Sequence, residues 1–162
     1  SPACDIDLPS LARLADAFYI GGTKVGALFG EAVIITAEKA KRDFRYSIKR
    51  HGGMLAKGRL LGIQFETLFT DGLYFDIARH ATEEAMRIKD ALLQKAIQFL
   101  VDSPTNQQFP ILTTEQCERL SSQFLLSPWK KIDDTHMAMR ICTSWATKTE
   151  AVDALIEEIG KM

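Results

Sequence analysis

Along the first seventy positions, segments with strand-like apolar runs alternate with segments whose apolar residues have helical spacing. Short apolar runs at Phe18–Ile20 and Ala32–Ile35 predict two buried strands on either side of a glycine-rich turn. Apolar residues at helical spacing predict one helix before these strands and two after them, over residues 5–18, 37–52 and 54–69. Gly58 and Gly62 lie four positions apart in the last of these, so we expect another helix to approach it closely.

A long helix and then smaller elements are predicted in the second half of the chain. The long helix covers residues 74–101, and Ser103–Asn106 is the clearest linker. The strands are predicted at residues 109–112, 125–132 and 137–145. Two capping boxes, Thr113 with Gln116 and Thr147 with Glu150, open the two remaining helices.

This order of elements predicts how the chain divides. Strand, helix, strand, strand and helix in succession is the order of a small α+β lobe. The long helix before this lobe is expected to be an arm that links two parts of the fold.

Composition and charge narrow the class of protein. The 162 residues suit one compact domain or a core with a small appendage. Twenty basic and 21 acidic residues leave a net charge of -1 without a long run of one sign, which argues against nucleic acid or an anionic membrane as a partner. No apolar stretch is long enough for a membrane span, and three widely spaced cysteines fit a reducing compartment. We therefore expect a cytoplasmic protein with a small-molecule partner.

Lys24 lies on the turn between the first two predicted strands, among Gly21, Gly22 and Gly26. Beside apolar neighbours a lysine more readily becomes the neutral amine that forms a Schiff base. Glycines carry no Cβ, so the backbone can approach a flat ligand closely. The alternative is an ordinary solvated lysine on a surface turn, and the spacing alone favours that alternative.

Arg140 lies on the strand predicted at residues 137–145. Alternation places it on one face with the small residues Ala138, Cys142 and Ser144. Space around a planar guanidinium lets it bind a carboxylate through two parallel hydrogen bonds. The alternative, an arginine on the wet face of a sheet, is the more frequent case.

The sequence predicts no metal site. His51, His80 and His136 are isolated, and no pair has the spacing of metal ligands on a helix, so we assign each to the surface or to a cap. A Walker loop, a dinucleotide fingerprint and zinc-binding spacing are also absent from the sequence.

Three segments carry a family resemblance. They read Tyr-Ile-Gly-Gly-Thr-Lys-Val-Gly-Ala-Leu-Phe-Gly-Glu-Ala-Val at 19–33, Gly-Gly-Met-Leu-Ala-Lys-Gly-Arg at 52–59 and Met-Arg-Ile-Cys-Thr-Ser-Trp at 139–145. Together they resemble the threonine aldolase and β-eliminating lyase family of fold-type I enzymes, which depend on pyridoxal phosphate (PLP). The resemblance runs over essentially the whole chain, and Gly-Thr-Lys is its most specific part. It implies an α/β fold, namely the end of the PLP-dependent transferase-like large domain followed by a small α+β C-terminal domain. The implied division is residues 1–72 in the PLP-binding large domain, a linking helix and loop at 73–105, and the small α+β domain at 106–162.

The resemblance also implies roles for particular residues. Lys24 is expected to hold PLP as a Schiff base, with Gly22 and Thr23 beside the cofactor. Arg140 is expected to bind the α-carboxylate of an amino-acid substrate. Lys57 follows the Gly-Gly element that lies near a neighbouring subunit's active site in the family, which implies a contact with the cofactor. The implied enzyme is a homodimer or homotetramer that cleaves the Cα–Cβ bond of threonine-like β-hydroxy amino acids, giving glycine and an aldehyde.

Part of such an enzyme cannot be located in the sequence. Complete members have a long N-terminal portion with a phosphate loop, a group stacked on the cofactor ring and an aspartate that pairs with the pyridine nitrogen. We therefore expect the chain to be a C-terminal portion that is inactive by itself. Its start at Ser1 fits either removal of an initiator methionine or a truncated sequence. A β-eliminating lyase or another fold-type I enzyme is the alternative reaction, and an inactive fragment that serves in assembly is the alternative function.

Overall fold

A computed structural model of the chain describes residues 4–162. Ser1, the residue at which the chain begins, lies outside the described residues. The α-helices are α1 (Leu8–Leu14), α2 (Glu38–Lys41), α3 (Phe44–Arg50), α4 (Arg59–Phe69), α5 (Leu73–Gln94), α6 (Thr114–Ser121) and α7 (Thr149–Gly160). The strands are β1 (Ala17–Gly21), β2 (Glu31–Ile35), β3 (Gln107–Gln108), β4 (Ile111–Thr113), β5 (Ser127–Lys131) and β6 (His136–Cys142). Short 3-10 helices span Thr23–Val25 and Thr70–Gly72.

The chain is of mixed α/β class and forms two compact units, residues 1–77 and 78–162. The boundary between the units falls within α5. The predicted division into residues 1–72, 73–105 and 106–162 concerns the domains of a complete protein, and it stays a prediction. No helix within residues 4–162 is both long and apolar enough to cross a bilayer.

The first unit contains the antiparallel pair of β1 and β2, which confirms the two predicted strands but not their burial. Tyr19 and Val33 face each other in the register, and 71% and 55% of their surfaces are exposed. The alternate residues Phe18 and Ile20 are half-buried. The buried apolar residues described in this unit are Val25, Ala27, Phe65 and Leu68. A two-stranded sheet over so few buried side chains is marginally stable by itself.

The predicted helices of the first unit are too long. Asp7 is the N-cap of α1, and its carboxylate accepts a hydrogen bond from the Ser10 amide at 2.7 Å. However, α1 ends at Leu14, since the residues from Ala17 onward enter β1. The helix predicted over residues 37–52 is broken at Asp43, whose φ of 57° is left-handed and cannot continue a right-handed helix.

The prediction of a helix from residue 54 is also wrong in its first part. α4 begins only at Arg59, after a turn, and Gly58 is its N-cap. Gly58 has helical backbone angles and its carbonyl accepts from the Gly62 amide at 3.2 Å, so the two glycines lie one turn apart as predicted. The close approach of another helix stays a prediction. A Cβ built at Gly62 meets nothing within 4 Å, so the described residues leave open space there.

The second unit has a larger core beneath a sheet whose central strand is β6. β6 pairs antiparallel with β3, β4 and β5. Helix α5 contributes buried residues three or four positions apart, and α7 contributes the apolar stripe that its sequence predicts. The core comprises Ile88, Leu92, Leu112, Leu120, Leu126, Met139, Ile141, Val152, Leu155 and Ile159. This unit therefore buries a contiguous apolar cluster of its own.

Helix α5 stops well before the predicted end at Val101. Ala96 takes a left-handed conformation with φ 57°, and the Ile97 amide donates to the Leu92 carbonyl at 3.1 Å. This arrangement closes the end of the helix. Arg87 of this helix forms ion pairs with Glu84 at 2.7 Å and with Asp153 of α7.

Only one of the two predicted capping boxes is present. The Thr113 hydroxyl accepts from the Gln116 amide, and the Gln116 side chain accepts from the Thr113 amide, which confirms the first box. The second is wrong because α7 begins after Lys148, and the Thr147 hydroxyl accepts instead from the Ser144 amide at 2.8 Å.

Candidate functional site

Lys24 lies on the 3-10 turn that directly follows β1. The Gly22 carbonyl accepts hydrogen bonds from the Val25 amide at 3.1 Å and the Ala27 amide at 2.9 Å. Gly26 ends the turn with a φ of 101°, a left-handed conformation that glycine adopts without strain. The backbone on both sides of Lys24 is thus fixed.

The side chains on this turn differ in exposure. Gly22 is buried, whereas Thr23 and Lys24 are exposed, so within residues 4–162 the apolar neighbours do not desolvate Lys24 as the sequence analysis expects. Nothing within residues 4–162 hydrogen-bonds or forms an ion pair with the Lys24 amine. The turn therefore presents a primary amine on a fixed backbone, as attachment of an aldehyde requires.

Helix α4 packs against the turn. A Cβ at Gly22 would lie 2.7 Å from the Ala27 Cβ and 2.8 Å from Phe65 Cζ, so only glycine fits between them. Gln64 accepts from the Leu28 amide at 2.6 Å, and its own amide donates to a carbonyl within α4 at 2.9 Å. These contacts join the glycine-rich segment to the helix that follows it.

Tyr74, at the start of α5, holds the end of β1. Its hydroxyl donates to the Gly21 carbonyl at 3.1 Å. Burial, and secondarily the Glu31 carboxylate, raises the pKa of Tyr74, which keeps the hydroxyl protonated as a donor. Sequence reasoning missed this residue because 53 positions separate the two partners and no motif links them.

Lys57 lies on the turn that leads into α4. Its side chain is exposed, and no residue in the described part of the chain pairs with it. Its amine is thus free to meet an anion, and its contact with a cofactor stays a prediction.

Arg140, in the second unit, lies in β6. This strand ends at Cys142, so the predicted strand is too long and Ser144 does not share a strand face with Arg140. The guanidinium carbon of Arg140 is 5.2 Å from the centre of the Trp129 ring, within the range of a cation–π contact. Its Nε is fully enclosed, yet no described residue accepts a hydrogen bond from it. The rest of the guanidinium is likewise unpaired within residues 4–162. An enclosed cationic donor without an acceptor is rare and costly in a folded protein.

Trp129 reaches Arg140 through an irregularity in β5. Pro128 pairs with Met139 and Lys130 pairs with Ala138, so Trp129 is the extra residue of a β-bulge. The Trp129 ring also packs against Phe109, with centroids 5.2 Å apart and planes at 55°. Sequence reasoning predicted a strand here but assigned Trp129 no role, although an aromatic residue on the strand beside Arg140 was a usable signal.

The three histidines have local partners. His51 donates from Nδ1 to the Ser47 carbonyl and His80 from Nε2 to the Thr147 carbonyl, both at 2.8 Å. His136 meets the Asp133 carboxylate at 3.0 Å. The structure brings no group of three potential ligands together within residues 4–162.

Comparison with known proteins shows which enzymes the chain resembles. No protein-family model matches the chain. The solved threonine aldolase of Leishmania major superposes with a TM-score of 0.93 at 40% sequence identity, covering 99% of this chain and 47% of that enzyme. The chain is homologous to part of threonine aldolase. The chain spans about half the length of the Leishmania protein, and the predicted resemblance to the threonine aldolase family is confirmed for that portion.

A curated relative and two further structures extend this comparison. The low specificity L-threonine aldolase of Pseudomonas sp. (strain NCIMB 10558) is 36% identical over 66 residues, which are 41% of this chain and 19% of that enzyme. Serine palmitoyltransferase of Sphingomonas wittichii matches with a TM-score of 0.64 at 11% identity, over 94% of this chain and 41% of that one. The 8-amino-7-oxononanoate synthase of Francisella tularensis matches with a TM-score of 0.54 at 14% identity, over 82% and 41%. These last two share the fold alone.

Proposed function

We propose that the chain is the C-terminal portion of a PLP-dependent aldolase. In this proposal it forms the end of the large domain, the linking helix and the small α+β domain. The complete enzyme cleaves the Cα–Cβ bond of threonine-like β-hydroxy amino acids, giving glycine and an aldehyde. The two similar proteins named as threonine aldolases support this reaction class.

The observation that carries the proposal is the unpaired guanidinium of Arg140. A structural arginine has an acceptor for its enclosed Nε, whereas none of residues 4–162 supplies one here. A carboxylate matches a guanidinium through two parallel hydrogen bonds and compensates its charge. Arg140 therefore binds the α-carboxylate of the amino acid and orients the substrate.

The surroundings of Lys24 fit the attachment of PLP. Its amine is exposed and unpaired within the described residues, on a turn that the Gly22 carbonyl and α4 hold in place. When bound, PLP supplies the electron sink for the pair released by the breaking Cα–Cβ bond. Gly22 and Thr23 lie beside the cofactor in this proposal, and the free amine of Lys57 meets an anionic group.

The same proposal includes the rest of the enzyme. Tyr19, Val33 and Leu28 expose much of their apolar surface, and Leu28 is 84% exposed. Burying such side chains is favourable, so we propose that the remaining half of the enzyme covers this part of the first unit. We further propose a homodimer or homotetramer in the cytoplasm, where the free thiols of Cys4, Cys117 and Cys142 are compatible with the reducing conditions.

Mapping of the PLP adduct tests the cofactor site. The complete protein is incubated with PLP, reduced with borohydride and digested for mass spectrometry. We expect one pyridoxyl adduct, on Lys24, and none in Lys24→Ala. Lys49→Ala, which removes another exposed lysine of the same unit, serves as the matched control and should keep the adduct. Adducts spread over surface lysines, or none, would refute the assignment of Lys24.

Product analysis tests the reaction. We expect the loaded protein to release glycine from L-threonine or L-allo-threonine together with an aldehyde. Pyruvate and ammonia from a substrate with a β leaving group, without aldehyde, would establish a β-eliminating lyase instead. Failure to bind PLP at all, with intact assembly, would support a purely structural fragment.

A further inference from the structure

We propose that Trp129 is the positioning residue for Arg140, fixing the plane of its guanidinium so that its edge meets a carboxylate. The inference rests on the proposed binding of a carboxylate by Arg140. It adds a residue that neither the family motif nor the sequence analysis assigned to the site.

The first argument is the unusual environment of the guanidinium. Arginine side chains are commonly held in place by acceptors on neighbouring residues, but no described residue accepts from Arg140. Trp129 contacts the guanidinium of Arg140 through its ring, whose centre lies 5.2 Å from the guanidinium carbon. An indole face attracts a cation without occupying its N–H donors. The contact therefore holds the group and leaves its hydrogen bonds for a ligand.

The second argument is that Trp129 is itself held in place. The bulge between Pro128 and Lys130 sets the direction of the side chain, and Phe109 packs against the ring at 5.2 Å. Bulges redirect side chains and are frequent beside active sites. A ring fixed by its backbone and by an aromatic neighbour restricts the rotation of the arginine above it, so less conformational entropy is lost when a carboxylate binds.

The test compares two ligands that differ only in the carboxylate. Dissociation constants of glycine and glycinamide are measured by titration calorimetry on the complete, PLP-loaded protein. Their ratio reports the contribution of the carboxylate, and a general loss of stability does not change it. Arg140→Met should bring the ratio close to one. Trp129→Leu should reduce the preference for glycine by roughly 3- to 30-fold, the range of a cation–π contact that is partly or fully desolvated.

Two variants provide the controls. Trp145→Phe removes a tryptophan of the same unit with nearly equal exposure, 52% against 53% for Trp129, and should leave the ratio unchanged. Trp129→Phe keeps a smaller aromatic face and should give an intermediate ratio. This variant also tests the contact if Trp129→Leu does not fold. Replacing tryptophan by analogues with more fluorine atoms weakens the ring quadrupole at nearly constant shape. The preference for glycine over glycinamide should therefore fall with each added fluorine. In the Trp129→Phe background the same analogues should leave the preference unchanged.

The outcomes separate this inference from the proposed function. If Arg140→Met collapses the ratio while Trp129→Leu stays within twofold of wild type, Trp129 does not position the arginine and the proposed function stands. If fluorination leaves the ratio unchanged, the contact is packing alone and the inference is likewise overturned. If Arg140→Met keeps the wild-type ratio, the carboxylate site of the proposed function is itself wrong.

Discussion

Gly22→Ala should destabilise the protein because the added methyl group has no room. Its carbon would lie 2.7 Å from the Ala27 Cβ and 2.8 Å from Phe65 Cζ, closer than such atoms approach in folded proteins. The φ of Gly22 is -110°, which any residue adopts, so the effect is steric and not a matter of backbone strain.

Neither neighbour can move away easily. Ala27 has a short side chain, and its amide is hydrogen-bonded to the Gly22 carbonyl at 2.9 Å. Phe65 is buried and its ring packs near Phe69, with centroids 6.0 Å apart. Forcing an extra methyl group into packed surroundings costs about 1–3 kcal/mol. The equilibrium between folded and unfolded protein would shift by about 5- to 150-fold, taking about 1.4 kcal/mol for each factor of ten.

Urea unfolding of the complete protein, followed by far-ultraviolet circular dichroism, measures this cost. Gly160→Ala is the matched control, because a Cβ there meets nothing within 4 Å and alanine favours a helix by up to about 1 kcal/mol. Combining Gly22→Ala with Phe65→Leu, which removes the ring edge, should recover part of the loss. An unfolding midpoint for Gly22→Ala equal to that of Gly160→Ala would refute the steric argument, and with it the fixed position of the turn.

Three further variants test other contacts. Tyr74→Phe removes the hydrogen bond to the Gly21 carbonyl and should lower the free energy of unfolding in urea by about 0.5–1.5 kcal/mol. Because burial raises the pKa of Tyr74, the wild type should lose this additional stability as the pH rises above about 10. Asp133→Asn should lower the melting temperature at pH 7, because the backbone amide of Thr135 and further hydrogen bonds lower the pKa of Asp133 to about 2. The difference in melting temperature from the wild type should shrink as the pH falls from about 4 through 2. A difference that does not change with pH would contradict the reasoning. Thr113→Ala should cost about 1 kcal/mol of unfolding free energy by removing the cap of α6, and no change would mean that the capping box contributes nothing.

Features that depend on a few neighbouring residues could be predicted from the sequence. The pair of β1 and β2 follows from two short apolar runs, and the capping box of α6 follows from Thr113 and Gln116 alone. The helix ends at Asp43 and Ala96 could not be predicted, because both residues take a left-handed backbone that their side chains do not indicate. Tertiary surroundings override local preference at such positions.

The candidate site divides in the same way. The glycines around Lys24 are visible in the sequence, but spacing alone favours a solvated lysine, and only the family resemblance changes that interpretation. The contacts that hold the site, Tyr74 with Gly21 and Trp129 with Arg140, join residues on different elements. They arise from strand register and helix packing, which a single sequence does not specify.

The bulge at Trp129 constrains how β5 can change in length. Side chains of a strand alternate between two faces, and an extra residue reverses that alternation beyond it. A deletion of one codon at the bulge would restore regular pairing but take away the residue that reaches the guanidinium. To regain a contact with the guanidinium, the strand would need a second substitution at another position. Along a lineage, β5 should therefore tolerate replacement of its lysines far more readily than a change of its residue count.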